Sequence, residues 1–303
     1  REEGESPRGR IALAQALASG VMQADGRALL HLDRCLACRA CERVCPPGVH
    51  FGELLVQTRV LLARRRGLSA TLRRLRWLLR SRRRLALALS GLRLLRRSGL
   101  ARITEGLGLT PPEDAMPTPP PPSRLHPTGR GARGEVVLFL GCVARRYDAP
   151  VHTAALRLLE VSGYRVRIPA AQGCCGAVLA HGGDADGAVR MGQSLGAALA
   201  GDAPVLVSAS GCFDGVRQAL GARARDIHDF LAADPAFAAL RWRPLPLRLA
   251  LHLPCTMQNV SRSADGVVDL LSRIPGLELA HLPRQGRCCG AAGIQFLEQP
   301  EQA

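Results

Sequence analysis

The 303-residue sequence predicts an α/β domain with a mostly parallel sheet in its C-terminal half, preceded by a small α-helical head rich in cysteine. Three observations predict this. Strand-like and helix-like stretches alternate beyond residue 135. The same half holds an internal repeat, in which a strand ending in one Cys leads through a helix and a second strand to Cys-Cys-Gly. Hydrophobic residues make up 47% of the chain and aromatics only 3%, so cores exist and are built from Leu, Ala and Val.

Residues 1–58 form the head, with Ser6-Pro7 as a start signal for a helix over Ile11–Ala18. Residues 59–110 read as Arg-rich amphipathic helices. Leu68, Leu72, Leu75 and Leu79 make one stripe, and Leu85, Leu89, Leu92 and Leu95 a second. Fifteen Arg and no acidic residue lie between Leu54 and Thr104, which nearly accounts for the net charge of +16. All 41 basic residues are Arg, a composition bias that gives the choice over Lys no functional weight. Residues 111–134, with Pro119 to Pro122 and several Gly, read as a stiff, exposed linker at a domain boundary. Residues 135–245 are the first Cys-Cys-Gly repeat, with strands over Glu135–Leu140, Tyr164–Ile168 and Pro204–Ser208 and helices over Pro150–Val161 and Ala188–Ala200. Residues 246–303 are the second, incomplete repeat, with a strand over Leu247–Leu251 and a helix over Val260–Leu271.

The eleven Cys carry the chemistry. Cys35-x2-Cys38-x2-Cys41-x3-Cys45-Pro46 wraps a short loop so that thiolates converge on an iron–sulfur cluster, in the manner of a ferredoxin-type 4Fe-4S domain. In two-cluster ferredoxins the Cys before Pro ligates the other cluster. A zinc knuckle, which uses two separated Cys pairs, fits this spacing poorly. Cys142, Cys174, Cys175 and Cys212 form a second set, with Gly173 and Gly176 flanking the pair so that the backbone can present two neighbouring thiolates. Cys142 falls at the C-terminal end of a strand, where open α/β sheets bind ligands. Cys255, Cys288 and Cys289 mirror that set: 31 residues lie between Cys142 and Cys174, and 32 between Cys255 and Cys288. No counterpart of Cys212 follows Cys289. For both later sets the alternatives are a redox-active vicinal disulfide or buried thiols.

His252, His31, His50 and His181 read as solvated or core residues rather than ligands. No phosphate loop, dinucleotide-binding glycine fingerprint or Ser–His–Asp arrangement is present. Free, metal-type cysteines and the lack of a secretory signal point to the cytoplasm. The basic helices allow three readings: peripheral attachment to the inner face of the plasma membrane through charge and the Leu stripe, a solvated face over a Leu seam, or nucleic-acid binding. The last is disfavoured, because Trp77 has no interleaved aromatic companions.

At DRCLACRACERVCPPGV, preceded by SPRGRI and followed by two Cys-Cys-Gly units, the sequence resembles the iron–sulfur subunits of bacterial glycolate oxidase. The combination also resembles lactate-utilisation proteins, an anaerobic glycerol-3-phosphate dehydrogenase subunit and heterodisulfide reductase. The resemblance implies an electron-transfer subunit that relays electrons from a flavin-containing partner to a quinone or other acceptor. It also implies a second ferredoxin motif upstream of Arg1 and a C-terminal extension of the second unit. In heterodisulfide reductase the unit ends in Cys-x-x-Cys, whereas Gly215 occupies that position here, so a cluster held by five Cys is not implied.

Overall fold

Ser6 and Pro7 start the first helix as expected: Ser6 Oγ accepts from Gly9 N at 2.9 Å and Pro7 fills the first turn of α1 (Pro7–Ala18). The computed structural model describes residues 2–23, 26–113, 116–282, 289–290 and 292–299. In the head, α1 is followed by α2 (Gly26–Asp33), the single turn α3 (Ala40–Arg43) and α4 (Phe51–Arg66). Leu17, Leu32 and Leu62 interlock to bind α1, α2 and α4 into a small core. Helix α4 runs unbroken through residue 58, where the head was expected to end.

Ser69 and Ser81 cap α5 (Ala70–Leu79) and α6 (Arg82–Arg97), and α7 (Ala101–Gly106) follows. Segment 111–134 has no helix or strand among its described residues. Most of its described residues are exposed, but its first half is tied to α6. Arg93 donates to the Pro119 carbonyl at 2.7 Å, Arg96 to the Pro111 carbonyl at 3.0 Å, and Pro119 itself is buried.

Strand β1 (Glu135–Phe139) is apolar and buried along Val136 to Phe139, the pattern of a central strand covered on both faces. After it come α8 (Ala144–Tyr147), α9 (Ala149–Val161), β2 (Arg165–Arg167), α10 (Ala177–His181), α11 (Ala185–Ala198), β3 (Val205–Val207), α12 (Ser210–Leu220) and β4 (Ala224–Asp226). All pairings are parallel, in the order β2-β1-β3-β4 among the described residues. Alternation along β1 sends Val136 and Leu138 to one face, against Leu156 and Leu159 of α9. Val137 and Phe139 point to the other face, against Leu195 of α11 and Phe213 and Val216 of α12. The strands are therefore sandwiched between helical layers.

The second unit repeats the plan on a smaller scale. After α13 (Ile227–Ala232) and α14 (Pro235–Ala238), β5 (Leu247–Leu251) pairs in parallel with β6 (Leu277–His281), and α15 (Ala264–Ser272) crosses between them. A short α16 (Gln295–Glu298) ends the described chain. Strand β4 escaped the sequence reading because Ala-Arg-Asp is too short and too polar to register. The helix expected over Val260–Leu271 is broken. A π-helical turn over Met257–Ser261 ends at Arg262, whose φ of 58° is left-handed, and α15 restarts beyond Ser263. Ser263 N turns back to the Met257 carbonyl at 3.1 Å, and Ser261 Oγ meets Ser263 Oγ at 2.8 Å, so the Ser-Arg-Ser segment closes the turn on itself. Among the described residues no helix is long and apolar enough to cross a membrane.

His152 on α9 is 1% exposed, and neither ring nitrogen has a partner among the described residues. Burial, with Arg145 nearby, pulls its pKa down to about 4. A base with weakened proton affinity in the fold leaves the unfolded chain binding more protons between about pH 6.5 and 4. Stability contributed by neutral His152 is complete above that window and is lost as pH falls through it, by roughly 3 kcal/mol. Denaturant midpoints measured against pH should show this decline, and His152→Leu should flatten it by about one proton.

Candidate functional site

Parallel pairing delivers the ends of β1, β2 and β3 to one edge, where the loops after β1 and β2 carry Cys142, Cys174 and Cys175 and the first turn of α12, after β3, carries Cys212. Gly141, with φ of 71°, turns the chain out of β1 to present Cys142. The β2 loop is tied to β1 by Gln172, which is fully buried. Its Oε1 accepts from Leu140 N at 2.8 Å and its Nε2 donates to the Leu138 carbonyl at 3.2 Å. Cys142 Sγ then lies 3.5 Å from Cys174 Sγ, and Cys175 and Cys212 are the next thiols along this edge. Of the two glycines flanking the pair, only Gly176 takes positive φ, at 81°, and a Cβ there would lie 3.0 Å from the Ala188 carbonyl oxygen. A Cβ on Gly215 would come within 2.6 Å of the Cys175 carbonyl oxygen. Helix α12 therefore packs directly on the Cys-Cys backbone, which accounts for Gly at that position.

Contact between the thiols and burial both raise the cost of ionising them. Hydrogen bonding to Cys174, then burial, pushes Cys142 well up. Cys174 is drawn down by Cys142, but Cys175 and burial outweigh this and carry it up to about 12. For Cys175 the relief from Cys174 is likewise outweighed by Cys212 and burial. Such a set binds as thiolates only when a cation supplies compensating charge, so its donor chemistry fits an iron–sulfur or other metal centre. No disulfide links any of the described cysteines. Also among the described residues, no three Cys, His, Asp or Glu side chains converge as they would around one metal ion; the sulfurs meet in pairs.

The head quartet lies close by. Ala37 and Arg39 take left-handed φ of 50° and 56°, which coils the loop between Cys35 and Cys41. Cys35 is buried beside Phe51 and Leu55, while Cys38, Cys41 and Cys45 are half-buried. Burial, then the Cys35 and Cys38 thiols, pushes the Cys41 thiol up, so these three share one environment. Asn259 Nδ2 donates to the Cys38 carbonyl at 2.8 Å, and Arg39 approaches Asp214 of α12 at 3.7 Å. Ser210 Oγ meets Thr256 Oγ1 at 2.7 Å, so the turn after Cys255 is clamped against the helix bearing Cys212. Cys255 is half-buried and Cys289 exposed, and Cys288 lies outside the described residues. His31 is half-buried near Glu2 and Glu5, His50 and His252 are exposed, and His181 is a half-buried residue whose pKa desolvation lowers to about 4.

Over the sheet-edge thiols lies the first Leu stripe. Leu72 and Leu79 are buried with Cys174, Leu179 and Met191, and Leu68, Leu75 and Leu85 pack alongside together with Cys142. The stripe is thus a lid against the α/β domain, as in the reading of the basic helices that placed a Leu seam beneath an Arg face. Arg76 is engaged too, 3.5 Å from the buried Asp184.

The Cysteine-rich domain family model matches twice, over residues 136–216 and 249–303, one match on each sheet unit. The probable glycolate oxidase iron-sulfur subunit of Bacillus subtilis (strain 168) is 30% identical over 348 residues, covering 100% of this chain and 76% of that protein. The chain belongs to the glycolate oxidase iron–sulfur subunit family. A second relative in the family, the glycolate oxidase iron-sulfur subunit of Escherichia coli (strain K12), is 31% identical over 326 residues, covering 100% of this chain and 77% of its own length. A subunit of the anaerobic glycerol-3-phosphate dehydrogenase of the same strain is more distant, 27% identical over 53% of this chain and 44% of its own length. No solved structure matches.

For this family member, the residues that sequence reasoning missed are those joining the cysteine sets. Asn259 carried no motif signal, and Arg59 was hidden as one of the fifteen arginines between Leu54 and Thr104. Arg59 is 4% exposed and gives Nη2 to the Cys35 carbonyl at 2.6 Å and Nη1 to the His181 carbonyl at 3.1 Å. Arg59→Met should strand both carbonyls and cost about 2–3 kcal/mol of stability. Hydrogen exchange should quicken at the amides of residues 34–45, and unchanged protection there would mean that the loop is held by other contacts.

Proposed function

We propose that this chain relays electrons as the iron–sulfur subunit of a glycolate oxidase complex, taking them from a flavin-containing partner and passing them to a quinone or other acceptor. The observation that carries the reading is that the head quartet, the turn after Cys255 and the sheet-edge thiols are fastened together by Asn259, Arg39 and Ser210. Cys35, Cys38 and Cys41 would hold a 4Fe-4S cluster, with Cys45 serving a second ferredoxin motif. Cys142, Cys174, Cys175 and Cys212 would hold a further cluster, and Cys255, Cys288 and Cys289 would contribute the second unit's ligands. An iron–sulfur cluster, when bound, takes up and releases single electrons at a potential set by burial, local charge and hydrogen bonds to sulfur. The chain supplies those settings. Phe51 and Leu55 exclude water from Cys35, Leu72 and Leu79 exclude it from Cys174, and the Arg59 charge at the Cys35 carbonyl favours added negative charge beside it.

Protein purified without oxygen should be brown, with thiolate-to-iron absorption near about 400 nm. Its iron content should fall in Cys38→Ser and Cys174→Ser. Colourless protein holding stoichiometric zinc after anaerobic reconstitution would overturn the reading.

The outer side of the basic helices supports attachment to an anionic membrane surface. With the Leu stripe turned inward, the free face carries Trp77 at 57% exposure, Leu87 at 73% and Leu94 at 70%, among Arg73, Arg74 and Arg80. Apolar anchors among cations suit an interfacial helix. Arg73→Gln, Arg74→Gln and Arg80→Gln together should weaken binding to phosphatidylserine vesicles and flatten its salt dependence, and Trp77→Ala should weaken it at any salt. Unchanged vesicle binding would leave this face solvated or docked to protein.

A further inference from the structure

Between α6 and the loop that follows β1, a cavity of about 550 Å³ opens beside Cys142. Its floor is apolar, formed by Leu85, Ala86 and Leu89 on α6. Its walls carry Arg82 and Arg83 from the start of α6 and Arg145 and Arg146 from α8, and no acidic side chain is among the described residues lining it. Guanidinium groups gathered this closely normally find carboxylates. Here they do not. Arg146, 8% exposed, gives Nε to the Pro120 carbonyl and Nη1 to Ser90 Oγ at 3.2 Å, yet its Nη2 is buried without an acceptor among the described residues. Arg145 Nη2 is buried in the same condition.

A buried cationic donor without an acceptor is costly, and so is water held over a leucine floor. An inorganic anion would relieve the first and leave the second, and a neutral hydrocarbon would do the reverse. One kind of molecule relieves both. We infer that this cavity is a binding site for a small apolar carboxylate, its oxygens toward Arg145 and Arg146 and its body on Leu85 and Leu89. The positive potential of Arg82 and Arg83 draws it in, and when bound it lies against Cys142.

The test is calorimetric titration of the full chain, purified without oxygen, with 2-naphthoate. The neutral 2-naphthalenemethanol and inorganic phosphate serve as comparisons. Naphthoate should bind saturably at one site, and both comparisons should bind at least about tenfold more weakly, since each lacks one half of the interaction. Arg145→Gln should weaken naphthoate binding by about tenfold or more. The exposed Arg82→Gln, which touches no buried packing, should weaken it by a smaller factor, and thermal midpoints by circular dichroism establish that both variants are folded. Absence of saturable naphthoate binding overturns the inference. So does equal binding of the alcohol or of phosphate, or an unchanged affinity in both folded variants. The readout is heat of binding rather than electron flow, so failure here leaves the electron-transfer reading standing, and loss of the clusters leaves this one standing.

Discussion

Parallel strand pairing is the constraint on which the rest of this molecule depends. In a parallel sheet every strand ends at the same edge, so residues far apart in sequence meet there without any long-range contact selecting them one by one. Cys142, Cys174 and Cys212 each follow a different strand, and the order β2-β1-β3 makes those strands neighbours. The chain departs from β1 toward both sides of the sheet, and the crevice at such a reversal is where open α/β sheets hold their ligands. Gln172 then fixes the distance between two of the loops by bonding Leu138 of β1 and Leu140 just beyond it from the loop after β2. Removing the parallel order would scatter the thiols; removing Gln172 would only loosen them.

Around this edge the remaining parts act as covers and ties. The basic helices form the cover, with leucines inward and arginines outward, so that one amphipathic pattern both dries the thiols and solubilises the lid. The ties are polar and few. Arg59 joins head to α/β domain through carbonyls alone, and a planar guanidinium with several diverging donors can do what a lysine ammonium on a flexible stem could not. Asn259 and the Arg39–Asp214 pair fasten the head loop to the second unit and to α12.

Legibility in the sequence followed the range of the forces involved. The two Cys-Cys-Gly units were readable because their strands and helices carry local periodicity. Strand β1 was plain from its run of buried apolar residues, whereas β4 was not, since three residues ending in a capping Asp226 have no period to detect. The break at Arg262 was hidden because residues 260–271 retain helical composition while the turn-closing bonds of Ser261 and Ser263 depend on geometry. Which way the Leu stripe faced was equally hidden: amphipathicity says that a face is covered, not by what. Membrane and protein core make the same demand on leucine, and only Leu179, Met191 and Cys174 decided between them.

Gly215 bears on the evolutionary routes open to this fold. Because α12 presses against the Cys175 carbonyl there, adding even one methyl group requires the helix to withdraw. A cysteine at this position, which would complete a Cys-x-x-Cys with Cys212, therefore cannot arrive by a single base change and be tolerated. It would need a compensating shift of α12, and α12 is already committed to Val137 and Phe139 on the sheet and, through its own Asp214 and Ser210, to Arg39 and Thr256. Descent from a four-thiol to a five-thiol edge, or back, thus crosses a barrier of backbone packing rather than of ligand chemistry.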